Sequence, residues 1–115
     1  MVLDQAPQLD HLFHALADPT RRAMLRSLAG GRRKIGELAA PHRMSFAAAS
    51  KHVRVLERAG LVRREVVGRS HLCRIEPAPL AQADDWLKFY TRLWTEQFDA
   101  LDAVLKAQPL EDPAP

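Results

Sequence analysis

"MSFAAASKHVRVLERAGLV", residues 44–62, reads as one helix with an unusual front end. Ser45 is a natural N-cap and Gly60 a natural stop, and apolar residues recur between them at helical spacing. The first turn carries one Phe and three Ala, where a surface helix ordinarily carries charge. Spacing the residues about 100° apart separates two faces. Ala48, Ala49, His52, Val53, Val55, Leu56 and Ala59 fall inward, and the small Ala48 and Ala49 admit a close neighbouring helix. Phe46, Ala47, Ser50, Lys51, Arg54, Glu57 and Arg58 fall outward, with the basic residues after the first turn. A helix that enters a DNA major groove by its N-terminal end has this distribution of charge. Phe46 and Ala47 then suit thymine methyls, Ser50 suits most bases, and Lys51 suits guanine O6 and N7. Ser45, Arg54 and Arg58 are expected at phosphates, which fix register but carry no sequence.

Upstream, "KIGELAAPHR" (34–43) predicts a short helix with Ile35, Leu38 and Ala39 inward, ended by Pro41. Together with the helix after Ser45 it has the outline of a helix-turn-helix. Asp18-Pro19 is a strong helix start, opening "PTRRAMLRSLA" with Ala23, Met24, Leu25 and Leu28 as its stripe and Gly30-Gly31 as its stop. "QLDHLFHALA" (8–17) precedes it, with Leu9, Leu12, Phe13 and Leu16 at helical spacing. Downstream, "LVRREVV" and "SHLCRI" alternate around Gly68-Arg69, which predicts a two-stranded wing joined by a type II′ turn. Arg64 and Arg69 on the wing, and Arg32, Arg33 and Lys34 ahead of the short helix, are further candidates for the DNA backbone.

The last predicted helix, 80–107, places Trp86, Leu87, Phe89, Tyr90, Leu93, Trp94, Phe98, Leu101, Val104 and Leu105 within an arc of about 180°. A face so wide and aromatic is not left in water. A homodimer follows, with Leu87, Tyr90, Trp94, Phe98, Leu101 and Leu105 of the last helix at its interface. The expected fold is mainly α with a small β-hairpin wing, a winged helix-turn-helix in the order α-α-α-α-β-β-α. Its expected divisions are a tail at 1–7, a DNA-binding domain at 8–78, a dimerisation helix at 79–107 packed on that domain, and a second tail at 108–115.

Charge supports this reading. Residues 1–29 balance three Arg against three Asp, residues 30–76 carry 11 basic and 4 acidic side chains, and residues 77–115 carry 3 basic and 7 acidic. A basic middle between neutral and acidic flanks suits a polyanion. No apolar run approaches the roughly 18 residues of a membrane span, and the first residues lack a signal-peptide pattern, so a cytoplasmic protein is expected. The single cysteine, Cys73, excludes a disulfide within the chain and a zinc site built on several thiolates. No nucleophile with its base, no phosphate-binding Gly-rich loop and no paired carboxylates stand out, so no enzyme, metal or cofactor is expected.

"LADPTRRAMLRSL", "IGELA", "MSFAAASKHVRVLERAGLV" and "VVGRSHLCRI" together resemble the ArsR/SmtB regulators, over roughly residues 8–107. The resemblance implies a homodimeric winged-helix regulator of transcription, usually a repressor, that dimerises through its first and last helices, which puts Leu9, Leu12 and Phe13 of the first helix at the interface as well. Metal-sensing members carry a Cys pair in the short helix, or Asp and His ligands along the last one. Here the short helix has no Cys and the last helix no His, so the resemblance is to the metal-independent branch, and the effector is left open.

Several residues admit two readings. His52 is a packed, hydrogen-bonded residue or a phosphate contact. His11 and His14 are a helix face near the dimer seam or a metal pair. Arg21 and Arg22 reach phosphate, or one of them pairs with Asp18 or another acid. The aromatic set of the last helix is a dimer core or a ligand pocket. Cys73 is a small buried hydrophobe or a redox switch. At the level of function, the alternatives to a DNA-binding repressor of a palindromic operator are a winged-helix module that binds another protein, or a repressor gated by ligand or by Cys73 oxidation.

Overall fold

A computed structural model describes the backbone of residues 2–107 and the side chains of residues 8–107. Its elements run α1 (Val2–Leu16), α2 (Pro19–Ala29), β1 (Arg33–Lys34), α3 (Ile35–Ala39), a 3-10 turn (Ala40–His42), α4 (Phe46–Arg58), β2 (Val62–Val67), β3 (Ser70–Ile75) and α5 (Ala78–Ala107). They fall into two compact units, Met1–Ala83 and Asp84–Pro115. The expected order of elements holds. Three boundaries differ: α1 starts at Val2 rather than near residue 8, the wing gains a third strand, and the first six residues of α5 belong to the first unit, where Ala83 is buried. The tail expected at 108–115 lies outside the described residues.

In the first unit, α4 packs against α1, α2, α3 and β2. Leu12, Met24, Leu28, Ile35, Leu38, Val53, Leu56 and Leu61 fill the middle, each fully buried. Ser45 Oγ accepts the amide of Ala48 at 3.1 Å and starts α4. Gly60, at φ +73°, ends it, with its amide on the Glu57 carbonyl and the Leu61 amide on the Leu56 carbonyl. These are the two bonds of a Schellman stop, and the buried pair Leu56 and Leu61 supplies its usual apolar contact. The connection between α3 and α4 turns at Arg43, which sits in the left-handed region at φ +52° without being glycine.

The sheet order is β1-β3-β2, all antiparallel. Val67 pairs with Ser70, leaving Gly68 and Arg69 as a two-residue turn. Gly68 has φ +63° and Arg69 is not in the positive region, as a type II′ turn requires. Arg63, Glu65, Arg74 and Glu76 form a ladder of ion pairs at 3.2–4.0 Å, joined by Arg32, which pairs with Glu65 at 3.5 Å. Most of the sheet's charge is thus neutralised internally.

The joint between α1 and α2 is built from "ADPTRR". The Asp18 carboxylate accepts the Arg21 amide at 3.0 Å and caps α2. The Arg21 side chain turns back to the carbonyls of Ala15 and His14, both at 2.8 Å, and Arg22 reaches the Leu16 carbonyl at 2.7 Å. Two guanidinium groups therefore satisfy the orphan carbonyls and negative end of α1. The amide of Arg21 holds the Asp18 carboxyl below its ordinary value of 3.8, aided by the Arg21 and His52 charges and opposed by burial. A depressed carboxyl pKa stabilises the fold fully above the unfolded value, and that contribution is lost as pH falls through the folded value. Asp18→Ala is expected to cost about 0.5–2 kcal/mol at pH 7. Asp18→Asn keeps the cap and is expected to lose less than wild type on acidification from about pH 5 to pH 2. Urea unfolding of the three proteins across that range checks both statements.

Candidate nucleic-acid interface

On α4, Ala47, Lys51, Arg54 and Arg58 recur at steps of four, three and four, so they form one stripe along the helix. All four are exposed. Among the described residues, Lys51, Arg54 and Arg58 make no ion pair, and the same is true of Lys34 and Arg69 beside the stripe's leading end. Phe46, the first residue of the helix, is 56% exposed. The leading end is thus apolar and the trailing part carries cations that have no ion-pair partner among the described residues.

Three of the expected site residues stand elsewhere. Ser50 is 8% exposed, a buried polar residue and not an outward one. It lies seven residues before Glu57 on the same edge of α4, and Glu57 turns toward the sheet. Arg64 is only 17% exposed in its side chain; its guanidinium bonds the Glu57 carboxylate at 2.6 Å and faces His71 Nδ1 at 3.5 Å. It ties α4 to the wing, and its charge is spent on that tie. Leu12 is 1% exposed within the first unit, so it belongs to the core and not to an interface between chains. Ala23, expected on the inward stripe of α2, is exposed.

Ser45 is exposed with its hydroxyl engaged as the cap. Arg33 is half-buried and donates to the Arg32 carbonyl at 2.9 Å. Leu9 is half-buried and Phe13 exposed on α1. Leu87, Tyr90, Trp94, Phe98, Leu101 and Leu105 are all exposed on α5, between 44% and 63%. Along that helix the rings of Trp86 and Tyr90 lie 5.0 Å apart, and those of Trp94 and Phe98 4.5 Å apart.

His52 takes the packed role: its Nδ1 lies 3.4 Å from Arg21 and 4.0 Å from the Asp18 carboxylate. Spacing alone hinted at this by putting His52 on the inward face, and a structural pairing of Arg21 or Arg22 with Asp18 was one of two readings; the reach of Arg21 to His52 and to the α1 carbonyls had no signal in the sequence. Cys73 is fully buried beside Arg64 in the strand register, and burial pushes its thiol pKa up against the pull of Arg64. A buried, protonated thiol is a poor nucleophile, which favours the packing role over a switch. No described helix is long and apolar enough to cross a membrane.

A family model for a helix-turn-helix domain matches residues 16–65, which span α2 through most of β2. The chain is 37% identical over 95 residues to the HTH-type transcriptional regulator Rv2034 of Mycobacterium tuberculosis, a match that covers 82% of this chain and 89% of that protein. It is 40% identical over 70 residues to the transcriptional repressor SmtB homolog of Synechocystis sp., covering 61% of this chain and 53% of that one. Among solved structures, an ArsR family transcriptional regulator, RHA00566, superposes with a TM-score of 0.73 at 40% identity, over 78% of this chain and 93% of that one. Helix-turn-helix geometry, an exposed basic stripe on its second helix and near-full-length similarity to regulators agree: the chain belongs to the ArsR family of winged helix-turn-helix, DNA-binding transcriptional regulators and is not an enzyme.

Proposed function

We propose that the protein is a cytoplasmic, homodimeric repressor that binds an imperfect palindrome in duplex DNA. The observation that carries this reading is the stripe on α4: an apolar tip followed by Lys51, Arg54 and Arg58, which have no ion-pair partner among the described residues. Solvated surface cations on this molecule do find acids where acids are near, as on the sheet. Cations left unpaired along a recognition helix suit phosphate and base acceptors. Phe46, Ala47 and Lys51 are the base-reading residues in this reading, and Arg54, Arg58, Lys34, Arg69, Ser45 and Arg33 the backbone-contacting ones. Ser50 and Arg64 support α4 from within.

The dimer reading rests on α5, where the ten large apolar side chains from Trp86 to Leu105 are all exposed in the single chain. A second copy covers them and sets two α4 helices about one helical turn of DNA apart. Repression follows from occupying promoter DNA; the SmtB homolog of Synechocystis is named a repressor, in keeping with that role.

Five cations per protomer at phosphates make about ten contacts per dimer, so affinity for a specific duplex is expected to fall by about 10⁵ between roughly 50 and 200 mM salt. Fluorescence anisotropy with labelled duplexes from a selection measures this. Absence of binding to any duplex at low salt would overturn the proposal.

A further inference from the structure

Phe46 lies outside the buried core, and the fold holds it in a defined place. It forms one wall of a cleft of about 380 Å³ whose other lining residues are Lys34, Ile35, Gly36 and Glu37, at the start of α3, and Arg69, Ser70 and His71, at the wing turn. The cleft has two chemistries. Phe46, Ile35 and the bare Gly36 make an apolar side, and a side chain on Gly36 would meet nothing within 4 Å, so there is free space over it. Lys34 and Arg69 make a cationic side. The cleft's one carboxylate, Glu37, is engaged by the Lys34 amide at 3.0 Å, and His71 Nδ1 faces Arg64 at 3.5 Å.

A lining that combines apolar groups with two cations is complementary to a nucleotide. A duplex that takes α4 in its major groove offers the adjoining minor groove to the wing. The strand dividing those grooves has to pass between the tip of α4 and the wing turn, which is where the cleft opens. We propose that this cleft seats one thymidine nucleotide of that strand, with the thymine C5-methyl on the Phe46 ring and the phosphate between Lys34 and Arg69. Phe46 is then a specificity-determining residue. Cytosine, which lacks the methyl and offers an amino donor, finds no acceptor on Phe46 or Ala47. The assignment rests on the DNA-binding reading above, which puts Phe46 at a base, and adds to it the cleft that holds the base and the phosphate of one nucleotide together.

The test is a scan of the selected duplex in which each thymine is replaced singly by deoxyuridine, with wild type, Phe46→Ala and Phe46→Leu. At one position per half-site, loss of the methyl is expected to weaken wild type roughly fourfold, the worth of one buried methyl group. Phe46→Leu is expected to keep that sensitivity and Phe46→Ala to lose it, with unchanged thermal unfolding because Phe46 is exposed. A neutral methylphosphonate at the same step is expected to weaken wild type but not the Lys34→Ala, Arg69→Ala double variant. A scan that is flat for wild type, or equally steep for wild type and Phe46→Ala, overturns the cleft assignment while duplex binding in the same titrations leaves the DNA-binding reading standing. Loss of all duplex binding by wild type overturns that reading, and the cleft assignment with it.

Discussion

Trp94→Glu is expected to turn the dimer into a monomer and to lower operator affinity by about a hundredfold or more. From Asp84 onward every described residue of α5 is exposed, and the large apolar ones occupy one half of its circumference. Each such side chain contributes about 1.5–3 kcal/mol when fully buried, so even partial cover by a second copy is a large driving force. Trp94 stands near the middle of this stretch and stacks edge to face on Phe98, which is where binding energy tends to concentrate. A glutamate there loses the ring and places a carboxylate in an apolar seam, where an unpaired charge costs several kcal/mol. The monomer keeps its folded first unit, because Trp94 belongs to the second. What it loses is the linkage of two half-site contacts, an effect of about 10²–10⁴ in affinity. Trp94→Phe keeps an aromatic ring and is expected to remain dimeric. Light scattering at micromolar concentration reports the outcome, and a stable Trp94→Glu dimer would refute an interface on α5.

The parts of this protein written in local chemistry were legible in its sequence. Asp18-Pro19, Ser45 and Gly60 mark helix ends because capping acts over three or four residues, and each cap forms as expected. Gly68-Arg69 marks the hairpin for the same reason. What escaped depends on partners distant in the chain. Strand β1 is two charged residues long, too short to alternate, and exists because β3 offers its edge. Arg64 shares a strand face with the buried Val62, but its partner Glu57 stands on another element. Leu12 and Phe13 are neighbours on one apolar stripe; periodicity marks both, and only packing assigns Leu12 to the core and leaves Phe13 outward. Ser50 lies some 40° from Arg54 on the helix wheel, so a division into two halves cannot tell an edge from a face. The turn at Arg43 gave no sign because its residue is not the glycine that such a conformation favours.

The two ends of the α4 stripe are expected to respond differently to alanine. Lys51 lies one turn behind the tip, on the line of Ala47, where a helix entering a major groove still faces base edges. Its ammonium reaches guanine O6 and N7, a contact worth about 1–3 kcal/mol of discrimination, and a palindrome counts it twice. Lys51→Ala is therefore expected to weaken the preferred operator by about 2–6 kcal/mol and to flatten preference at one position in each half-site. Arg58 lies two turns further on, where the helix leaves the groove and the acceptors are phosphates. Arg58→Ala is expected to weaken all sequences alike and to reduce the salt slope by about one per protomer. Neither residue has an ion-pair partner among those described, so neither substitution orphans a buried charge, and unfolding midpoints should stay at the wild-type value. Competition titrations over a panel of singly substituted operators separate the two behaviours. If both variants kept the wild-type ranking of operators, the tip of α4 would not be the reading end. If both changed it, the helix would lie along the groove floor, with Arg58 also at base edges, and not enter by its tip.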